Sequence, residues 1–127
     1  MAKASVLIID ESDLFRDYLK ARLGRAGLVA EAAINGLDGI SKMRDDPPDL
    51  VVMDYHLTRK TCQEVLEEKA RNSNTAGIPV VLTAHKIDKS RLLELVRYNI
   101  RKVFMKPIKM DGFYQIVSEI TGARFEV

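Results

Sequence analysis

Four short stretches each end an apolar run in a residue that can do chemistry: "LIIDE" in Asp10 and Glu11, "VVMD" in Asp54, "VVLTA" in Thr83, and "FMKPI" in Lys106. Aspartate is a poor residue with which to extend Val51, Val52 and Met53 as a strand, so its place there needs another reason. Three carboxylates meeting without a cation would repel, and one pKa would rise strongly; such a cluster points to a hard divalent metal. Oxygen ligands favour magnesium, or manganese, over zinc, which would ask for His or Cys. A carboxylate beside that metal can attack a phosphoryl group in line while metal and ammonium neutralise the equatorial oxygens, and the product is an acyl phosphate. Taken singly, each residue is better explained as the cap of a turn between strand and helix. Their occurrence at four run ends together is what carries the chemistry.

The elements that must position them follow from periodicity. Five apolar or β-branched runs, Val6 to Ile9, Leu28 to Ala33, Leu50 to Met53, Val80 to Thr83 and Val103 to Met105, are predicted as strands. The first, third and fourth are expected to be buried on both faces. Between them lie helical patterns. Leu14, Phe15, Tyr18, Leu19 and Leu23 form the first, with Ser12 or Asp13 as N-cap and Gly24 and Gly27 near its stop. Leu37, Ile40 and Met43 form the second, ended by "DDPPD". Val65, Leu66, Lys69 and Ala70 give a looser third, Leu92, Leu93, Leu95 and Val96 a fourth, and Phe113, Ile116, Val117 and Ile120 a fifth that ends near Gly122. This βα alternation predicts an α/β fold: a doubly wound, five-stranded parallel sheet with five helices and right-handed crossovers, flavodoxin-like in arrangement. Ligands of such sheets bind beyond the carboxyl ends of the strands, where the strand order reverses. All four run ends would share that edge.

At 127 residues the chain is expected to be one domain, 1–127, with 46% hydrophobic and 30% charged residues. The apolar runs are too short for a membrane span or a secretory signal, and Cys62 is the only cysteine, which fits a cytoplasmic protein. A net charge of +2 gives no reason to expect nucleic-acid binding, and no helix-turn-helix follows residue 122. The charge is uneven, however. From Lys86 to Lys109 eight basic residues face only Asp88 and Glu94, which is either a solvated helix face or a partner-docking face.

The spaced motifs "LIIDE", "VVMD", "VVLTA" and "FMKPI" resemble, in that order, those of the receiver domain of bacterial two-component response regulators, of the single-domain, CheY-like kind. The resemblance covers nearly the whole chain. It implies that Asp54 accepts a phosphoryl group from a sensor histidine kinase or phosphotransfer protein in a magnesium-dependent reaction. It also implies that Glu11, Asp54 and the main-chain carbonyl of His56 hold the metal, with Asp10 acting mostly through water. Thr83 would hydrogen-bond the phosphoryl group, Lys106 would pair with it, and the Lys106–Pro107 peptide would be cis. Such a domain catalyses its own phosphorylation and dephosphorylation without being a turnover enzyme. Signal would leave through the fourth helix, fifth strand and fifth helix to a downstream protein partner, a fused effector domain, or a second copy in a homodimer.

Four departures from that family's pattern involve six residues. Thr58 and Cys62 stand where a proline and a glycine are usual, so the "LTRKTCQE" loop is expected to take an unusual path or to be mobile. Val103 replaces the aromatic half of the usual switch, which leaves the loop after Thr83 and the fourth helix to carry the coupling. Glu11 replaces the more common aspartate, and Asn99 and Ile100 replace a glycine-alanine pair. The departures support an alternative: a phosphorylation-independent receiver acting as a protein-interaction module. A haloacid dehalogenase-type phosphatase is disfavoured, since Asp10 has no second aspartate two residues on, and a nucleotide-binding module because "DESDLF" lacks glycine.

His56 and His85 each lie two residues past a site residue, Asp54 and Thr83. On the receiver pattern both overlook the phosphoryl group and the path of attacking water, and so are expected to modulate dephosphorylation; the plainer reading makes them loop residues facing solvent. Cys62 is expected to be a small residue that fits, since a redox role would need a lowered pKa.

Overall fold

A computed structural model describes residues 3–126. The elements run β1 (Ser5–Ile9), α1 (Asp13–Arg25), β2 (Val29–Ala33), α2 (Gly36–Asp45), β3 (Leu50–Asp54), α3 (Cys62–Arg71), β4 (Val80–Ala84), α4 (Lys89–Leu95), β5 (Ile100–Met105) and α5 (Met110–Thr121), with a 3-10 turn, Val96–Tyr98, after α4. The five strands form one parallel sheet in the order β2-β1-β3-β4-β5. The doubly wound fold expected from the alternation of runs is therefore present. Among the described residues, no helix is long and apolar enough to cross a membrane.

The strands divide their side chains between two cores by their period of two. Leu7, Ile9, Val51, Met53, Val80 and Leu82 join Met43, Val65, Leu66 and Leu95 on one face. Val6, Ile8, Leu50, Val52 and Val81 join Leu19, Leu23, Phe113 and Val117 on the other. The central strands β3 and β4 are buried throughout, as continuous apolar runs between two helical layers should be.

Helix ends follow their sequence signals. The Ser12 hydroxyl accepts from the Phe15 N–H and caps α1, and Gly122 takes a left-handed conformation (φ 79°) beyond α5. Thr61 and Glu64 make a reciprocal capping box at the start of α3.

Three expectations need correction. Leu14 is 84% exposed, because the inward stripe of α1 runs through Phe15, Leu19 and Leu23 at four-residue spacing and Leu14 lies off it. Helix α4 has only seven residues; of its predicted apolar face, Leu95 alone is buried, while Leu93 and Val96 are at least half exposed. Strand β5 begins three residues before Val103. It is an edge strand that bulges between Ile100 and Lys102, and its exposed Arg101 and Lys102 hide the strand from a reading of apolar runs.

The β3–α3 loop, expected to take an unusual path or to be mobile, contains a left-handed residue and a tight internal bond. Arg59 adopts a left-handed conformation (φ 69°), and the Lys60 N–H donates to the Thr58 carbonyl at 2.7 Å. The loop is also tied to the start of α2, where the Gly36 N–H donates to the Thr58 carbonyl at 3.1 Å. A Cβ at Gly36 would come within 1.9 Å of the Lys60 carbonyl oxygen, so only glycine admits this approach. Asn99, in place of the usual glycine, also adopts a left-handed conformation (φ 63°), and its amide donates to the Gly77 carbonyl at 3.1 Å.

Candidate functional site

Strand register brings the site together. Ile8 pairs with Val52 and Val52 with Val81 in the core under α1 and α5. Two residues further along the same three strands come Asp10, Asp54 and Thr83, on the same face and at the carboxyl edge. Asp54 and Thr83 are direct partners in the ladder, and Thr83 pairs with Phe104, two residues before Lys106. Backbone bonds continue past the strand ends: Tyr55 N–H to the Thr83 carbonyl at 2.7 Å, and Lys106 N–H to the Ala84 carbonyl at 2.8 Å. The mount for these side chains is therefore the rigid sheet itself.

The Lys106 ammonium lies between two acids, 2.8 Å from Asp10 Oδ2 and 3.5 Å from Asp54 Oδ1. Asp54 Oδ1 also accepts from the Thr83 hydroxyl at 3.2 Å. All four residues are buried or nearly so, and Thr83 is wholly enclosed. Asp10 is held further by the Ser12 N–H on Oδ1 at 2.8 Å, while Arg16 donates to its carbonyl at 2.7 Å. Burial pushes the Asp54 carboxyl above the usual carboxylate range; Lys106 opposes this, Asp10 adds to it, and His56 and the Thr83 hydrogen bond oppose it. The Lys106–Pro107 peptide is cis.

The three carboxylates do not meet at one point. Glu11 is exposed and turned toward the β3–α3 loop, where its Oε2 accepts from the Thr58 N–H and, at 2.8 Å, from the Thr58 hydroxyl. Among the described residues, no three acidic, histidine or cysteine side chains are grouped to hold a metal ion. The repulsion expected between Asp10 and Asp54 is met by Lys106.

His56 and His85 are both exposed, with ring centroids 6.4 Å apart, and the His56 and Tyr55 rings form a T-shaped pair with centroids 5.1 Å apart. Beside them a cleft of about 600 Å³ opens between the β3–α3 loop and α4, with Leu57, Cys62, Arg91 and Leu95 in its lining. Cys62 is the first residue of α3 and is buried; burial, with a smaller push from Asp54, raises its thiol to about 12. That removes the thiolate a redox role would need.

Two contacts escaped the sequence. Phe15, read only as a core residue of α1, has its ring centroid 4.1 Å from the Lys106 ammonium. Thr58, read only as a missing proline, is the partner of Glu11. Of the eight basic residues from Lys86 to Lys109, Lys106 turns inward and the other seven are exposed. Val103 is half-buried and packs with Ile87, Tyr98 and Ile100 against the core that contains Leu95.

Residues 6–118 match the family model described as "Response regulator receiver domain". Protein PilH of Pseudomonas aeruginosa is 25% identical over 117 residues, which cover 92% of this chain and 97% of that protein. A response regulator receiver protein from Pseudomonas putida superimposes with a TM-score of 0.87 at 14% identity, covering 94% of this chain and 98% of that one. The receiver domain of a sensor histidine kinase from Pseudomonas aeruginosa, with a magnesium ion coordinated in its active site cleft, gives 0.83 at 15% identity and covers 95% of this chain and 99% of that one. At these identities the structural likeness speaks for the fold.

Proposed function

The chain belongs to the response regulator receiver domain family, and from that premise we propose that it is a phosphorylation switch with Asp54 as the acceptor. Receiver domains are signalling modules rather than turnover enzymes, and they work with histidine kinases or phosphotransfer proteins. The observation that carries the assignment is the setting of Asp54 Oδ1, which has the Thr83 hydroxyl at 3.2 Å and the Lys106 ammonium at 3.5 Å.

In the proposed reaction an Asp54 oxygen attacks the phosphorus of a phosphohistidine in line. The O–P bond forms as the P–N bond breaks, and the imidazole leaves with the electron pair. The Lys106 ammonium, already drawn out of water between two carboxylates, pairs with one phosphoryl oxygen, and the Thr83 hydroxyl donates to another. The residues fit a magnesium ion in kind: the donors are hard oxygens, and two buried carboxylates share a single ammonium. Asp10 through water, Glu11, Asp54 and the His56 main-chain carbonyl are the groups to hold it. When bound, it supplies further neutralisation of the phosphoryl oxygens. His56 and His85 flank the acceptor and modulate the slow return of the phosphoryl group to water. Output leaves through α4, β5 and α5, where seven exposed basic residues suit an acidic partner surface.

The test is the intact mass after incubation with magnesium and acetyl phosphate or phosphoramidate, beside Asp54→Asn. A phosphoryl-sized gain in the wild type alone is the expected result. No gain under conditions that modify an ordinary receiver would replace the proposal with a phosphorylation-independent interaction module.

A further inference from the structure

Glu11 has two calls on one carboxylate. Its Oε2 is bound by both the N–H and the hydroxyl of Thr58, 47 residues away in sequence, and the same side chain is one of the three acids available to a metal at the sheet edge. While Thr58 holds it, no three acids converge among the described residues. To join Asp10 and Asp54 around one ion, the Glu11 side chain must leave Thr58. Each of the two hydrogen bonds ends on an ionised acceptor, the stronger kind.

The part of the loop that would be released, Thr58 to Lys60, has few other ties. Leu57 is buried in the core and Tyr55 is bonded to Thr83, but beyond them Thr58 is exposed, Arg59 is held in a left-handed conformation, and the anchors of this outer part are the Gly36 N–H on the Thr58 carbonyl and the contact of Lys60 with Gly36. Both anchors lead to the first residue of α2. A change at Glu11 therefore has a defined route away from the acceptor, through Thr58 and Lys60 to the start of α2.

We propose that Glu11 and Thr58 form a latch in competition with the metal: the ion draws Glu11 from Thr58, the β3–α3 loop loosens from the sheet edge, and the lost hydrogen bonds weaken metal binding. The proposal rests on the metal-dependent acceptor described above. It makes Thr58, which donates nothing to an ion, a positioning residue that sets metal affinity, and it makes metal occupancy itself an input to the loop before any phosphoryl group arrives.

Amide NMR tests this without phosphorylation. In the metal-free protein the Thr58 amide proton, bound to a carboxylate, is expected well downfield. Titrated magnesium should move it upfield in step with the amides of Asp10, Asp54 and Tyr55. Thr58→Pro removes both donors and should bind magnesium about tenfold more tightly, the scale of one charge-assisted hydrogen bond. Thr58→Ala keeps the N–H and should gain roughly threefold, which preserves the test if the proline variant does not fold. If magnesium shifts Asp10 and Asp54 while Thr58 stays put, and neither variant changes the affinity, the latch is overturned and the metal-dependent acceptor stands. If magnesium moves none of these amides at any concentration, the metal-dependent acceptor fails and the latch with it.

Discussion

The ring of Phe15 covers the ammonium of Lys106 at 4.1 Å, closing off a cation whose other contacts are Asp10 and Asp54. A cation over an aromatic face is worth about 0.5–2 kcal/mol, more as water is excluded. Phe15→Leu keeps an apolar cover and removes the ring's negative face. Its expected effect is a Lys106 that is less firmly placed, with phosphorylation by a small donor slowed about threefold to tenfold and a melting temperature within a few degrees of wild type. Phe15→Tyr restores the ring and should recover the rate. Equal rates for the leucine variant and the wild type would show that the contact is packing alone.

Asp54 should cost the fold stability at neutral pH. Burial raises its folded carboxyl above the ordinary value of 3.8, so the folded protein holds that proton more tightly than the unfolded chain does. The cost is then absent below 3.8, grows as pH rises toward the raised folded value, and is complete above it. Asp54→Asn, whose amide oxygen still accepts from Thr83, is expected to be more stable at pH 7 by about 1 kcal/mol, the usual scale of a stability–activity trade. Denaturant melts of both proteins across the acid range should show the difference shrinking as pH falls. A constant difference would mean that the carboxyl is not perturbed by folding.

Strand ends in this chain were legible because their chemistry breaks an apolar pattern. Asp10, Asp54, Thr83 and Lys106 each stand out against a run of Val, Leu, Ile or Met, and parallel topology then places all such ends on one edge. What Lys106 does between two acids was less visible, since reach and rotamer decide it. The Glu11–Thr58 pair shows the limit most clearly. Both residues stood out as departures from the family pattern, yet nothing in their spacing said that one extra methylene, about 1.5 Å of reach, would meet an N–H that proline lacks. Helix α4 was overread for a different reason: Leu92, Leu93, Leu95 and Val96 make an apolar cluster in sequence, but only Leu95 reaches the core.

Gly36 brings the start of α2 against the β3–α3 loop, and its substitution should be felt at both. The alanine Cβ would stand 1.9 Å from a backbone oxygen of Lys60, a clash that only movement of the loop or of the helix start can relieve. Gly36→Ala is expected to destabilise by about 2 kcal/mol, lowering the melting temperature by roughly 8 °C. Gly24 is the control: it lies in the last turn of α1 with no atom near its would-be Cβ, and Gly24→Ala should stabilise by about 0.5–1 kcal/mol. Calorimetry on the two variants gives opposite signs if the described loop path is right. A neutral Gly36→Ala would refute the close approach.

His56 and His85 stand just past neighbouring strand ends, 6.4 Å apart between ring centres, and Tyr55 packs edge-to-face with the first. Neither imidazole is enclosed, so their substitution should leave the fold intact. On the proposed function they overlook the approach to Asp54, and the effect expected of them is on the water that ends the signal. With both rings gone, water reaches the phosphoryl group more freely, and the acyl phosphate of the His56→Ala, His85→Ala double variant should decay about threefold faster, a barrier change under 1 kcal/mol. Each single variant, with one ring still in place, should lie between. The decay of phosphorylated protein, followed by intact mass after donor removal, reads this directly. A double variant with the wild-type lifetime would return both histidines to the status of ordinary surface residues and leave Lys106 and Thr83 to set the lifetime.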